Sequence, residues 1–243
     1  MPARLKRMKP RGKGEGVMAA KARRATQKHK VLVVDDHAIV REGLTTIINQ
    51  QADLMVCGGA EDAQAALEAV SKLDPALVII DISLKGINGI ELIKQIQKRD
   101  KKVPILVLSM HDESLYVERV LRAGARGYVM KQEGTEKVVT AIHRILAGEI
   151  CVSDAMGKKL LSAFRGRGRD PKGPSVERLS DRELEVFRLI GQGYKPRQIA
   201  DTLHVSVKTV ETYREHIKQK MNFKNSAELL QHAIQWAQSE TTA

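Results

Sequence analysis

Two cysteines in 243 residues, Cys57 and Cys151, are too few for a disulfide framework or, unaided, for a zinc site. They read as reduced thiols with packing roles in a cytosolic protein. Long apolar runs are missing as well. Stretches such as 31–34 and 77–80 fall far short of the ~20 residues that cross a bilayer, which argues against a membrane-spanning chain. No apolar core of a secretory signal follows the basic N-terminal residues. A P-loop, a nucleophile elbow and a dinucleotide fingerprint are also absent. The sequence GKGEG at 12–16 sits in a charged tail, where no strand and helix flank it.

What the chain has is charge, unevenly spread. The net charge is +12, and residues 1–30 alone carry eleven Lys/Arg against one acid. Residues 31–150 are net −3, residues 151–175 net +4 and residues 176–243 net +1. The basicity therefore belongs mostly to a tail and says little about the folded parts. That tail, 1–29, is expected to be disordered. Its functional reading is nonspecific contact with nucleic acid phosphate.

From residue 31 the texture changes. Short aliphatic runs at 31–34, 54–57, 77–80, 105–108 and 127–130 are strand-like. Amphipathic helical patterns lie near 38–50, 62–73, 88–99, 114–123 and 134–147. Five strands alternating with five helices predict an α/β fold: a parallel sheet covered on both faces, similar to the flavodoxin-like (βα)5 order 2-1-3-4-5. The run RGRGRDPKGP (165–174) reads as linker. Four helices follow it. Ser180 with Glu183 and Asn225 with Glu228 form capping boxes, and Ser206 is a further cap. The last helix is expected to carry Leu230, Ala233, Ile234 and Ala237 inward.

In an open parallel sheet, ligands sit beyond the carboxyl ends of the strands. Asp35 and Asp36 follow strand one, Asp81 strand three, Ser109 strand four and Lys131 strand five. Three carboxylates on one rim repel one another unless a cation offsets them. Oxygen ligands with retained water suit Mg²⁺. With Mg²⁺ and Lys131 beside it, Asp81 is placed to attack a phosphoryl group.

These residues lie in VLVVDDHAIVREGL (31–44), LVIIDISLKGINGIEL (77–92), ILVLSM (105–110) and GARGYVMK (124–131). Together the four segments resemble a response-regulator receiver domain across 30–150. The resemblance implies that Asp81 is the phosphoacceptor. It implies that Asp36, Asp81 and the Ser83 backbone carbonyl bind Mg²⁺ directly, with Asp35 acting through water. Ser109 and Tyr128 would be the switch hydroxyl and the switch aromatic, and Lys131 the phosphate partner. Moving Ser109 toward a phosphoryl oxygen would open space for Tyr128 to turn inward. Ser83 and His111 flank the pocket and would tune hydrolysis.

The segment LSDRELEVFRLIGQGYKPRQIADTLHVSVKTVETYREHIKQKM (179–221) is similar to the LuxR-type helix-turn-helix, a small all-α domain. The whole chain thus resembles a NarL/FixJ-type two-component response regulator. The expected organisation is a basic tail (1–29), a receiver (30–150), a linker (151–178) and a DNA-binding domain (179–240). Carried-over recognition positions are Lys208, Thr209, Glu211, Thr212 and Glu215, with Arg214 and Lys218 near the DNA backbone. The KPR at 195–197 departs from the family, which usually has a small polar residue there. The implied function is a cytoplasmic transcription regulator, switched by Mg²⁺-dependent phosphorylation of Asp81. Its partners would be a sensor histidine kinase, promoter DNA and, once phosphorylated, a second copy of itself, with no membrane contact. Leu230 and Trp236 are the candidate dimer surface, although core packing is the more ordinary role for Leu230. No enzymatic role is expected beyond self-catalysed phosphoryl transfer to and hydrolysis from Asp81. A phosphatase with an Asp nucleophile would want a DxD pair after strand one, whereas Asp35 and Asp36 are contiguous.

Overall fold

Alternate residues along each central strand feed opposite faces of one sheet. The computed structural model describes residues 28–84, 87–100, 102–110, 113–164 and 176–241. Nearly all of the basic tail, the Gly/Pro-rich run and His111 lie outside that set. Strands β1 (His29–Val34), β2 (Leu54–Ala60), β3 (Leu77–Ile80), β4 (Ile105–Ser109) and β5 (Gly127–Met130) pair in parallel in the order β2-β1-β3-β4-β5. Leu32, Val34, Val78, Ile80, Ile105 and Val107 share one core. Val31, Val33, Leu77, Ile79, Leu106 and Leu108 share the other. This period of two, apolar on both sides, is what burial under two helix layers demands. α1 (Ala38–Asn49) and α5 (Thr135–Leu146) cover one face. α2 (Ala63–Leu73), α3 (Gly89–Arg99) and α4 (Glu113–Ala123) cover the other.

Strand β2 runs three residues past its expected end. The Gly58–Gly59 pair stays extended against β1 after a register shift between Val31 and Leu32. A Cβ at Gly58 would stand 2.7 Å from Leu73 Cδ1, so glycine here lets α2 approach the sheet.

The stretch expected as linker begins with ordered structure. Cys151 pairs with Gly127 as a parallel bridge, its carbonyl accepting from the Tyr128 N–H at 2.9 Å. The Ser153 N–H donates to Glu113 Oε1 at 2.9 Å. Helix α6 (Asp154–Phe164) then packs beside α4.

A short 3-10 turn at Val176–Arg178 leads into α7 (Asp181–Gly191), α8 (Pro196–Leu203), α9 (Val207–Met221) and α10 (Ser226–Thr241). Ser180 and Glu183 close the expected capping box, and Ser206 Oγ accepts from the Thr209 N–H at 3.0 Å. Pro196 is the first residue of α8, where its missing N–H has no partner to lose, and Gln198 Oε1 accepts from the Lys195 N–H at 2.9 Å. The KPR departure therefore leaves a normal helix start. One expectation fails in α10. Leu229 is buried and Leu230 is 45% exposed, so Leu229 rather than Leu230 takes the inner position, beside Ala233, which is buried as expected. Two adjacent leucines offer the same apolarity, and packing against α7 decides between them. Trp236 packs against Phe187 of α7, ring centroids 5.5 Å apart.

The two units meet along α7, which lies against α3 and α4. Asn88, Lys94 and Arg119 of the first unit bond Asp181 and Glu185 of the second.

Candidate functional site

The carboxyl edge of the sheet gathers the expected acids. β1 ends at Val34 and delivers Asp35 and Asp36, while β3 ends at Ile80 and delivers Asp81. One ligand atom each from Asp35, Asp36, His37 and Asp81 lies within 4.8 Å of the others. His37 was missing from the expected set; the run DDH was its only signal. Its Nδ1 is 2.8 Å from Asp36 Oδ1 and 3.3 Å from Asp35 Oδ1.

Lys131 opens the 3-10 turn after β5 and points back across the sheet edge. Its Nζ lies 2.6 Å from Asp35 Oδ2 and 3.0 Å from Asp81 Oδ2. Burial alone would lower the lysine pKa, but the Asp81 and Asp35 carboxylates outweigh it and hold Lys131 charged. Asp81 behaves in the opposite way. Burial raises its pKa, the Lys131 charge only partly reverses this, and Asp35 adds to the rise. The Ser83 backbone N–H, two residues on, pulls it slightly down. Asp81 Oδ1 is buried without a hydrogen bond of good geometry among the described residues. Asp36 Oδ1 faces His37 but forms no hydrogen bond with it. Buried acceptor oxygens that lack donors are the environment a hard cation completes.

Ser109 closes β4 and is buried, two residues beyond the strand pairing of Ile80 with Val107. Tyr128, on the neighbouring β5, is 2% exposed. An inward turn of this ring from solvent is therefore not the motion this arrangement offers. The ring is already inside, in the apolar cluster that also holds Met156 of α6.

In the second unit, α9 turns Val210, Ile217 and Met221 inward. Lys208, Glu211, Thr212 and Glu215 are exposed and Thr209 is half-buried. Arg214 Nη1 pairs with Glu211 at 2.8 Å and Lys218 with Glu215 at 2.8 Å. The Thr212 hydroxyl is turned back onto the Lys208 carbonyl at 3.0 Å, and the Thr209 hydroxyl meets Ser206 Oγ at 2.8 Å. Lys208 makes no ion pair among the described residues, so it is the readiest cation on this face.

An acidic rim with a facing lysine, joined to a helix-turn-helix, has counterparts among known proteins. Residues 31–143 match the response regulator receiver domain, and residues 177–233 match the LuxR family of bacterial regulatory proteins. The oxygen regulatory protein NreC of Staphylococcus carnosus is 35% identical over 209 residues, covering 84% of this chain and 96% of that protein. The chain belongs to the LuxR-type response regulators. Among solved structures, the RcsB response regulator of Salmonella typhimurium is 28% identical with a TM-score of 0.61, over 86% of this chain and 98% of that one. RcsB of Salmonella enterica serovar Typhimurium bound to promoter rprA in the presence of the phosphomimetic BeF3⁻ is 29% identical with a TM-score of 0.57, over 85% and 98%. A LuxR-family two-component response regulator from Aurantimonas sp. SI85-9A1 is 32% identical with a TM-score of 0.53, over 57% and 99%. This response regulator thus pairs a receiver domain, which implies a kinase partner, with a LuxR-type DNA-binding domain. Its acidic cluster has ligands for a metal ion. Among the described residues, no helix is long and apolar enough to cross a membrane.

Proposed function

We propose that the response regulator is switched by reversible phosphorylation of Asp81. A sensor histidine kinase is the donor, and the output is altered binding of promoter DNA. The observation that carries this reading is the Asp81 carboxylate. It is buried at the end of β3, one oxygen 3.0 Å from Lys131 Nζ and the other without a hydrogen bond of good geometry among the described residues.

The carboxylate attacks the phosphorus of a phosphoimidazole. The P–N bond breaks, its electron pair leaves on the kinase imidazole, and an acyl phosphate forms on Asp81. Hydrolysis is attack of water on the same phosphorus, with the carboxylate leaving and the proton passing to solvent. Lys131, held charged, neutralises phosphoryl oxygens in both directions. This self-catalysed transfer and hydrolysis is the whole of the chemistry assigned. The donor set suits Mg²⁺: Asp36, Asp81 and the Ser83 carbonyl would hold it directly and Asp35 through water. Bound there, the ion supplies positive charge to the phosphoryl oxygens.

Ser109 is the hydroxyl that follows the new phosphoryl oxygens. Tyr128 senses its departure as a change in packing, since the ring already lies inside. In the DNA-binding domain, Lys208, Thr209, Glu211, Thr212 and Glu215 face the DNA. Arg214 and Lys218 exchange their helix partners for phosphates. The phosphorylated chain forms a homodimer over inverted half-sites. The solved arrangement of two RcsB dimers bound to two parallel DNAs supports that reading. The receiver spans 30–150 and the DNA-binding domain 179–240, joined through 151–178, and the protein works in the cytoplasm. Acetyl phosphate with Mg²⁺ tests the acceptor. Labelling is expected on the wild type and lost in Asp81→Asn; stoichiometric labelling of that variant refutes the assignment.

A further inference from the structure

The imidazole of His37 stands over the acidic cluster. His37 is the N-cap of α1, a position that favours Ser, Thr, Asp or Asn, and its side chain makes no cap hydrogen bond. The side chain is 66% exposed, so core packing does not place the ring there. Its backbone N–H donates to Asp35 Oδ1 at 2.9 Å and ties the residue to the carboxylates. Nδ1 is 2.8 Å from Asp36 Oδ1 and 3.3 Å from Asp35 Oδ1. The longer contact, to Asp35, has hydrogen-bond geometry, and the shorter one, to Asp36, does not.

Both separations match two ligands of one ion. Ligand atoms about 2.1 Å from an ion stand roughly 3.0 Å apart along an octahedral edge and roughly 3.4 Å apart along a tetrahedral one. Asp81 points to an ion independently of the histidine. It is 3% exposed, its Oδ2 faces Lys131, and its Oδ1 is buried without a hydrogen bond of good geometry among the described residues. Three carboxylates and the Lys131 ammonium sum to two negative charges, which one divalent ion balances. Arg41 Nη1 donates to the Asp35 backbone carbonyl at 2.6 Å rather than to these carboxylates. The nitrogen decides which ion fits best. Carboxylates, carbonyls and retained water suit Mg²⁺, whereas imidazole suits Zn²⁺ and its neighbours in the first transition row.

We propose that His37 is a metal ligand of the acceptor site: its Nδ1 takes the place of a water on a transition-metal ion such as Zn²⁺, so that the cluster binds such ions in preference to Mg²⁺. The proposal rests on the reading of this cluster as the metal site beside Asp81. Mg²⁺ keeps water where the nitrogen would bind, and the carboxylates are common to both ions, so Zn²⁺ and Mg²⁺ compete for one position. A histidine that merely paired with the two aspartates would act on every divalent ion alike.

The test uses the full chain with Co²⁺, whose visible absorption reports its ligands, as the probe for ions of the Zn²⁺ class. Co²⁺ is titrated into wild type, His37→Gln and Asp36→Asn, and Mg²⁺ affinity is read by competition. Wild type should bind Co²⁺ more tightly than Mg²⁺, and Mg²⁺ should displace it. His37→Gln should lower the ratio of Co²⁺ to Mg²⁺ affinity by roughly ten-fold or more. It should also move the Co²⁺ band to longer wavelength, because oxygen replaces a stronger-field nitrogen. The exposed ring can be changed without opening the core. Equal weakening of both ions in His37→Gln, or a Co²⁺ spectrum identical to that of wild type, overturns the proposal. Co²⁺ held by Asp36→Asn with the wild-type affinity and spectrum is bound elsewhere, and that result overturns it as well. Wild type that binds Mg²⁺ but not Co²⁺ removes the nitrogen ligand and leaves the metal reading standing. Wild type that binds neither ion removes both readings together.

Discussion

Lys131 Nζ sits nearer to Asp35, at 2.6 Å, than to the expected acceptor Asp81, at 3.0 Å. One ammonium is thus shared by two buried carboxylates, and in the proposed phosphorylation it would lean toward Asp81. Lys131→Met removes the shared ammonium and leaves both acids without that charge. In EDTA the variant should lose on the order of 3 kcal/mol of stability, the usual consequence of breaking a buried pair. Mg²⁺ should recover more of that in the variant than it adds to wild type, because the ion takes over part of the missing charge. Thermal melts with and without Mg²⁺ give the comparison; an equal Mg²⁺ effect on both proteins contradicts it.

Asp81 provides a pH test without metal. Its pKa is raised by burial, so the native state favours the protonated acid and ionisation costs stability. That cost is absent well below the ordinary Asp value of 3.8 and present at neutral pH. Asp81→Asn in EDTA should therefore melt higher than wild type at pH 7, and the gain should shrink as pH falls toward the ordinary value. A gain that grows on acidification contradicts the sign.

The strands and the acidic rim were legible in the sequence because each rests on local pattern, and the strand order followed from the likeness to the flavodoxin-like fold. Two-sided apolar runs of four or five residues set the strands, and a carboxylate after each of β1 and β3 marks the ligand edge. His37 escaped because a histidine after two aspartates has no spacing that announces a ligand. The seam between domains was illegible for a different reason. Asn88 and Glu185 are ninety-seven positions apart, and each has a sufficient local role, as a helix cap and as the partner of Arg182. Helix α6 was hidden by its neighbours, since Gly, Pro and charge dominate the stretch that follows it. Leu230 shows the limit of periodicity where either of two adjacent leucines can take the inner position.

Glu183 joins the start of α7 to the recognition helix. Its Oε2 accepts from the Ser180 N–H at 2.7 Å and from Lys220 Nζ at 2.6 Å. Although burial acts to raise its pKa, Lys220 and Ser180 more than reverse that, and the pKa lies below the ordinary Glu value. The stabilisation is complete above the ordinary value and is lost as pH falls through the lowered one. Glu183→Gln should destabilise the DNA-binding domain by about 1–2 kcal/mol at pH 7. The gap from wild type should narrow in acid. Denaturation followed by the fluorescence of Trp236, the single tryptophan, reads this domain directly.

On the recognition helix, Lys208→Ala should weaken DNA binding and reduce the salt slope by about one ion. Glu211→Ala should change sequence preference more than affinity, and it also releases Arg214 from its 2.8 Å partner. Binding to a randomised DNA pool at several salt concentrations separates the two. An unchanged slope for the first variant, or an unchanged preferred motif for the second, removes that residue from the interface.

The most direct test of the central claim is the affinity for a DNA fragment selected from a random pool, measured with and without beryllofluoride and Mg²⁺, in wild type and in Asp81→Asn. A shift in wild type that disappears in Asp81→Asn is the predicted result. An equal shift in both proteins, or none in wild type, would contradict control of DNA binding through Asp81.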